Sequence, residues 1–590
     1  MSVVTINGQA IEVAEGTTVL QAARQAGVQI PTLCFLEQRD PVGACRVCLV
    51  EVQGAKTLMA ACATPCTDKM VVLTNSAKAR NARRQVVELL LSEHDGNCQL
   101  CERNEDCELR QLASDMGIRT VSYEGARAAP RQDESTPALV RNNSKCIKCR
   151  RCVTVCSQVQ GVGALFPQGR GFATVIGPAF TRQLDGVACV QCGQCAAVCP
   201  VGAISEHSQI DAVWKALEDP TKTVVVQTAP AIRAALGEEF GLPPGTRVTG
   251  KMVSALRQMG FDAVFDTNFA ADLTILEEGT ELLMRLKRAL VEKEPVALPM
   301  FTSCSPGWIK FAEYYYPQFL PNLSTCKSPQ QMFGALAKTY SAGKIGKQAG
   351  AIIVVSVMPC TAKKFEAQRP EMNASGVRDV DFVLTTRELG RMIRQAGIDF
   401  NKLPNGKMDD PLGLSSGAAD IFAATGGVME AALRTAYEIV TGRPLPVENL
   451  HVKPIAGLQG IKEAALMITG TKPEWSFLEG VELRVAVSHG LGNTRQLLER
   501  IRSGEGKYHF VEVMTCPGGC IGGGGQPRFT DDSVRLKRIE AIYAEDEDKA
   551  LRKSHENVAV QQLYHEFLGH PLGHKSHELL HTTYAAKKKV

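Results

Sequence analysis

The order of apolar and polar residues changes character along the chain. Val3-Val4-Thr5-Ile6 alternates into Asn7-Gly8-Gln9, and an Asn-Gly pair after such a run predicts a β-hairpin. Thr17 to Ala26 reads as a short helix, and Ala79 to Leu91 as a second one. The second carries arginines at one end and Val86, Val87, Leu89 and Leu90 toward the other, which suits packing against the small sheet. From about residue 222 the texture becomes alternating strand and helix. Thr223 to Gln227, Val296 to Phe301, Ile352 to Met358, Leu483 to Ser488 and His509 to Met514 are apolar runs of strand length. Leu282 to Ala289, Gln330 to Tyr340 and Met429 to Tyr437 have helical patterns between them. That is α/β layering, with functional groups expected at strand ends.

At 590 residues the chain exceeds one core and predicts three to five domains. A hydrophobic fraction of 44%, a charged fraction of 22% and a net charge of +4 describe a globular chain without a basic face for nucleic acid. The only charge run, Lys587, Lys588 and Lys589, reads as a solvated tail. Met1 to Ala10 has neither a basic start with an apolar run nor twin arginines, and no stretch reaches membrane-span length, so a cytoplasmic protein is expected. Cysteine usage changes this picture most. There are 21 cysteines, sixteen of them between Cys34 and Cys199, and in the cytosol such density means metal or redox chemistry rather than disulfides.

Cys34, Cys45, Cys48 and Cys62 follow the hairpin and first helix, as in a plant-type [2Fe–2S] ferredoxin, although the first two are farther apart than in that pattern. The spacing resembles instead the ferredoxin-like domain of complex I large subunits and of cluster-rich hydrogenases. A structural zinc site is the alternative, with Gly43 and Ala44 shaping the loop toward the cluster reading. Cys66 is left over. Next, Cys98, Cys101 and Cys107 lack a fourth cysteine, and His94 completes the set. One histidine and three cysteines on a [4Fe–4S] cluster occur in the same two families, and the neutral imidazole alters cluster charge and potential. The third group is a repeat displaced by 43 residues: Cys146, Cys149, Cys152, Cys156, then Cys189, Cys192, Cys195, Cys199 and Pro200. It resembles bacterial ferredoxins with two [4Fe–4S] clusters, where the fourth cysteine of each quartet serves the other cluster. That resemblance implies one cluster on Cys146, Cys149, Cys152 and Cys199, and another on Cys189, Cys192, Cys195 and Cys156. The total is one [2Fe–2S] and three [4Fe–4S] accessory clusters.

The late cysteines sit at strand ends, in Thr302-Ser303-Cys304-Ser305-Pro306-Gly307-Trp308, in Met358-Pro359-Cys360-Thr361-Ala362-Lys363-Lys364, and in Met514-Thr515-Cys516-Pro517-Gly518-Gly519-Cys520. These loops resemble the signatures of the [FeFe]-hydrogenase catalytic domain, and the cluster order matches cluster-rich members over essentially the whole chain. The resemblance implies an H-cluster, a [4Fe–4S] cubane joined to a diiron unit with CO, CN and a bridging dithiolate. Cys360, Cys516 and Cys520 would bind the cubane, Cys520 also bridging. Met358, Met514, Ala229 and Pro230 would flank the diiron unit, and Lys363 would donate to a cyanide. Cys304 matches the family's proton donor, with Glu278, Ser324 and Glu281 as the relay to solvent. Glu278 and Glu281 are three apart and can share a helix face, against the plainer reading of Glu277-Glu278-Gly279-Thr280-Glu281 as an acidic, solvated turn. Gly522 to Gly525 lacks the lysine and hydroxyl of a phosphate loop, so backbone approach to a metal cofactor is expected there.

One position departs from the family. Where a fourth thiolate is usual the chain has Ser305, whose alkoxide would be a harder and more basic donor. Ser305 ligates, Cys304 ligates in its place, or one cubane iron stays open. The tail, from Leu551-Arg552-Lys553 to Leu580-His581-Thr582, resembles the small-subunit segment fused to catalytic subunits of NAD(P)-linked, electron-bifurcating hydrogenase complexes. Its histidines suit a helical wrap better than a metal site, because their spacing is irregular. The expected architecture is multidomain α+β and α/β. It has a β-grasp [2Fe–2S] domain at 1–78, a His-Cys [4Fe–4S] module at 79–120, a 2[4Fe–4S] ferredoxin-type domain at 137–210, an α/β H-cluster domain at 222–535 and the helical tail at 536–590. The expected function is reversible hydrogen oxidation, with a flavoprotein subunit and a small [2Fe–2S] subunit as partners. A stand-alone ferredoxin-linked hydrogenase and a slow hydrogen sensor, with Ser305 marking lost turnover, are the alternatives.

Overall fold

The computed structural model describes residues 1–124, 129–445, 458–528 and 530–588; Lys589 of the terminal charge run lies outside them. The hairpin forms as Ser2–Ile6 and Gln9–Val13, with Ile6 opposite Gln9 and with Asn7 and Gly8 both at positive φ, 51° and 91°. Two left-handed residues are what a two-residue turn between twisted strands requires. The strand Ser2–Ile6 also pairs in parallel with Val71–Val72 of the strand Val71–Leu73, placing it inside a five-stranded mixed sheet. Helix Val19–Gln25 starts at a capping box between Thr18 and Gln21 and buries Val19, Leu20, Ala22 and Ala23 against Val4, Ile6, Val50 and Val72. The next helix, Ala77–Glu93, is longer than its apolar pattern, because Ser76 caps it two residues earlier. Arg83 ties it to the sheet through a 2.7 Å bond from Nε to Leu49 O.

In the ferredoxin-type repeat the backbone repeats as the sequence does. Lys148 and Arg150 have φ of 58° and 64°, and Gln191 and Gly193, 43 residues later, have 57° and 74°. Each pair precedes a short helix, Arg151–Thr154 or Gln194–Val198. Strands Leu139–Asn142 and Ile204–Glu206 pair antiparallel and close the unit.

Among the described residues, the catalytic half has two four-stranded sheets. In the first, Ala263–Asp266, Thr223–Thr228, Ile352–Met358 and Phe382–Thr385 lie side by side and all parallel. In the second, the order is Met300–Phe301, Phe510–Met514, Glu482–His489 and Ile461–Met467, with only the last pairing antiparallel. The expected strand at Val296 to Phe301 is cut to two residues, since Pro295 and Pro299 have no N–H to give a ladder. The expected helix at Leu282 to Ala289 is the end of a 24-residue helix, Thr267–Leu290, which buries Glu277, Glu278 and Glu281. The acidic segment is thus no solvated turn. Gln330 to Tyr340 forms as helix Pro329–Leu336 running into a wider π-type turn, Ala337–Ser341.

The tail wraps the catalytic domain. Helices Asp532–Asp548, Val558–Leu563 and His574–Leu580 follow one another, and Val560, Leu563, Leu579 and Leu580 join the core that contains Phe333 and Leu336. Lys587 is not a free solvated charge: its amine pairs with Glu313 at 3.0 Å. Among the described residues, no helix is long and apolar enough to cross a membrane.

Candidate functional site

The structure brings together the cysteines of the first loop and those of the ferredoxin-type repeat. In the first loop Cys48 Sγ lies 3.4 Å from Cys62 Sγ, and Cys34 contacts both Cys45 and Cys62. Cys66 stands apart, its amide bonded to Thr17 O. His94 caps the C-terminal end of helix Ala77–Glu93 and is buried. Cys107 caps the start of helix Glu108–Asp115, its sulfur accepting from Arg110 N at 3.5 Å. In the repeat, Cys146, Cys149, Cys152 and Cys199 line one apolar cavity, and Cys156, Cys189, Cys192 and Cys195 line another. Burial raises the pKa of Cys146, Cys149, Cys152, Cys156, Cys189, Cys192 and Cys195, and neighbouring cysteines raise Cys152 and Cys195 further. Thiols that resist ionising alone but converge in fours suit a cationic cluster, which stabilises the thiolates.

The second cavity abuts the catalytic loops. After burial, Cys516 is the neighbour that raises Cys192 most. Gln194 donates from Nε2 to Gly522 O at 2.8 Å, and Thr361 Oγ1 donates to Gln191 O at 2.8 Å. Two glycines permit this approach: a Cβ on Gly524 would stand 2.2 Å from Cys192 O, and one on Gly193 would stand 2.4 Å from Thr361 Oγ1.

The catalytic loops leave the C-terminal ends of parallel strands and converge, as in open α/β sheets generally. Ala229 and Pro230 follow Thr223–Thr228, Cys304 follows Met300–Phe301, Cys360 follows Ile352–Met358, and Cys516 follows Phe510–Met514. Met358 and Met514 end their strands buried. Cys516 is raised by burial, then by Cys360 and Cys520; Cys520 is raised to about 12 by burial and then by Cys360. Lys363 Nζ donates to Glu366 Oε2 at 2.9 Å and to Cys304 O at 3.1 Å, leaving one of its three N–H donors. Beside it, Gln330 reaches Glu366 with Nε2, while its Oε1 is buried without a partner among the described residues. Such an orphan acceptor and three mutually repelling thiols fit a bound metal cofactor at this place. Ser305 is the exception in the set. Its hydroxyl shares a 2.7 Å hydrogen bond with Thr515 Oγ1 and accepts from Thr515 N at 3.3 Å.

From Cys304 a file of polar groups leads outward. Its thiol is held well above the usual range by burial and then by Glu278. Glu278 is itself raised to about 8 by burial, against hydrogen bonds from Ser324 and the Ser303 amide. Ser324 Oγ also lies 3.3 Å from Glu281 Oε2, and Arg285 holds Glu281 Oε1 at 2.6 Å near the surface. Sequence reasoning did not single out Arg285, four residues beyond Glu281 on the same helix face, though that spacing was there to find. It also passed over Cys326, Thr515 and Glu366, whose roles depend on contacts that no local motif signals.

Comparison with known proteins identifies the parts of the chain. Residues 222–524 match the C-terminal domain of the iron-only hydrogenase large subunit, and residues 532–587 match the iron hydrogenase small subunit. Residues 3–77 match a 2Fe-2S iron–sulfur cluster binding domain, 83–122 the NADH-ubiquinone oxidoreductase-G iron–sulfur binding region, and 145–203 a 4Fe-4S dicluster domain. The NADP-reducing hydrogenase subunit HndD of Solidesulfovibrio fructosivorans is 50% identical over 596 residues, covering 100% of both chains. Iron hydrogenase 1 of Clostridium pasteurianum is 41% identical over 598 residues, covering 99% of this chain and 100% of its own. A solved apo [FeFe]-hydrogenase of Chlamydomonas reinhardtii superposes with a TM-score of 0.58 at 46% identity, over 64% of this chain and 99% of that one. With [2Fe–2S] and [4Fe–4S] binding regions joined to a hydrogenase domain and a small-subunit-like tail, the chain belongs to the [FeFe]-hydrogenases, as a large, catalytic subunit.

Proposed function

We propose that this chain is the hydrogen-activating subunit of a cytoplasmic NAD(P)-linked complex. In it, electrons leave the active site through four accessory clusters, and protons leave through Cys304, Glu278, Ser324 and Glu281. The observation that carries the reading is the junction at Cys192 and Cys516, where the second ferredoxin quartet meets the catalytic thiols across two glycines. When bound, the H-cluster supplies the Lewis-acidic iron at which hydrogen is cleaved heterolytically. Cys360, Cys516 and Cys520 would hold its cubane. Ser305 stays a neutral hydrogen-bond partner of Thr515 in this account, so the cubane rests on three protein thiolates. Met358, Met514, Ala229 and Pro230 keep water from the site, and Lys363 presents its remaining N–H to the cofactor.

The chain's own residues then divide the charges. Cys304, a neutral thiol at rest, gives its proton to Glu278 as Glu278 releases its own toward Ser324 and Glu281, and the thiol is then reprotonated from the site. The Glu278 carboxyl, with a pKa of about 8, holds a proton near neutrality at little cost and so suits transfer in either direction. As pH rises through 8 it ionises against Glu281, and hydrogen evolution is expected to fall with it.

The link to NAD(P) rests on full-length similarity to the NADP-reducing relative, and a flavoprotein and a small [2Fe–2S] subunit are the partners proposed from the resemblance of the tail to NAD(P)-linked complexes. The test is infrared spectroscopy of the matured chain, then hydrogen-dependent NADP reduction with and without a copurifying flavin subunit. Carbonyl and cyanide bands with NADP reduction only in the complex are expected. Bands with turnover on ferredoxin alone would overturn the NAD(P) link, and absent bands in matured protein would overturn the catalytic assignment.

A further inference from the structure

We propose that Glu281, Cys326 and His581 form a binding site for one zinc-like divalent cation at the outer end of the proton path, where an occupied site blocks proton exit. The binding claim stands on its own geometry; the blocking claim rests on the relay proposed above.

The tail builds the site. His581 bridges antiparallel to Cys326, and two main-chain bonds hold the alignment, Lys327 N to Leu580 O and Thr582 N to Thr325 O, each 2.8 Å. The bridge delivers an imidazole to a thiol 255 positions earlier in the chain. One ligand atom from each of Glu281, Cys326 and His581 lies within 4.8 Å of the others, and all three residues are buried. A thiol, an imidazole and a carboxylate form a soft to borderline set that selects zinc or cadmium over magnesium or calcium. Three protein ligands and one water make a tetrahedral site.

The surroundings have the second layer that metal-bound histidines use. His581 Nε2 lies 3.1 Å from Glu277 Oε2, and Glu277 is fixed by Tyr564 Oη at 2.6 Å and Leu572 N at 2.8 Å. A carboxylate on one imidazole nitrogen orients the other toward a metal. That other nitrogen, Nδ1, is 2.8 Å from Thr325 Oγ1, which in turn is 2.9 Å from Glu281 Oε2. The hydroxyl therefore stands between two of the ligands, in the space a cation would take. Arg285 occupies Glu281 Oε1, and Oε2, which accepts from Thr325 N at 3.0 Å, is the ligand oxygen once the Thr325 and Ser324 hydroxyls turn away from it. Burial, and then the neighbouring Glu281, Glu278 and Glu277, hold the Cys326 thiol well above its usual range. The same negative field attracts a cation, and binding exchanges the thiol proton for the metal, releasing one H⁺ to solvent. The exposed His577 lies beside His581, with ring centroids 4.4 Å apart and the planes tilted by 43°, so the site is close to the surface.

The competing explanation is that the three groups only pin the tail. Equilibrium dialysis of the matured holoenzyme against micromolar zinc chloride, followed by metal analysis, separates the two. The wild type is expected to bind one zinc reversibly, released by EDTA, with zinc X-ray absorption showing one sulfur and one imidazole. Cys326→Ser and His581→Ala should each weaken binding at least tenfold, and Glu277→Gln, which leaves all three ligands in place, severalfold. Cys326→Ser keeps the volume of the side chain, and its zinc-free turnover reports that it has folded. Zinc should slow hydrogen turnover in the wild type and leave the Cys326→Ser enzyme unaffected. Equal zinc binding by wild type and both ligand variants, or none at micromolar zinc, would overturn the site. Zinc bound through Cys326 with unchanged turnover would confirm the site and overturn the relay instead.

Discussion

The ferredoxin-type repeat and the catalytic domain both gather thiols, but they do so for opposite ends. In the repeat, the cavities are lined by cysteines, apolar side chains, a few amides and arginine, with Arg141 shared by both, and among the described residues no carboxylate lines either one. In the catalytic domain, Cys304 stands at the head of a chain of buried carboxyls and hydroxyls. Electrons cross apolar protein between clusters without ionisable side chains, whereas protons need a donor and an acceptor at every step. The two regions meet where Cys192 approaches Cys516, and only there would the carriers have to separate.

Breaking the proton side should have the largest effect. Cys304→Ala is expected to lower hydrogen turnover by about 10²- to 10⁴-fold, the usual worth of a positioned proton donor. Dithionite should still reduce the accessory clusters at the wild-type rate, as followed by electron paramagnetic resonance. On the electron side, Cys199→Ser should cost the chain one cluster, about four irons, and leave the cluster on Cys156, Cys189, Cys192 and Cys195 intact. Cys156→Ser should do the reverse. Loss of the cluster within the same sequence quartet would disprove the crossing.

At the junction, Ser305→Cys supplies the thiolate that the chain lacks. Cubane loss to a chelator should slow by at least about tenfold, within the range by which surrounding groups alter metal affinity. No change would mean that Ser305 already ligates. The smallest effect belongs to the outermost domain. Thr18→Ala removes the capping box and should cost about 1 kcal/mol, read as faster amide exchange in Val19–Gln25 with hydrogen turnover unchanged.

The same contrast sets what the sequence discloses. The ferredoxin ligands are close together in sequence, so their spacing is their geometry, and even the left-handed residues at Lys148 and Gln191 repeat with it. The catalytic loops were legible only as motifs of a family, because the approach of Cys304, Cys360 and Cys516 depends on the order of strands in two separate sheets. The buried face of the helix bearing Glu277, Glu278 and Glu281 was less visible still. Its carboxylates sit in the interior through partners such as Tyr564 and His581, brought from the tail. Cys326 carried no spacing signal at all, since its neighbours come from other elements. The strand at Met300–Phe301 is short for the opposite reason, a local one: prolines interrupt an apolar run that otherwise reads as a strand.

The separation of carriers is tested most directly by mixing matured Glu278→Gln protein with hydrogen in a stopped-flow spectrometer and following reduction of the accessory clusters. The amide keeps the size of the side chain and cannot pass a proton as a carboxyl does. Cluster reduction by hydrogen should slow at least about a hundredfold relative to wild type, while reduction by dithionite proceeds at the wild-type rate. Equal rates with hydrogen, or an equal slowing with both reductants, would contradict the account.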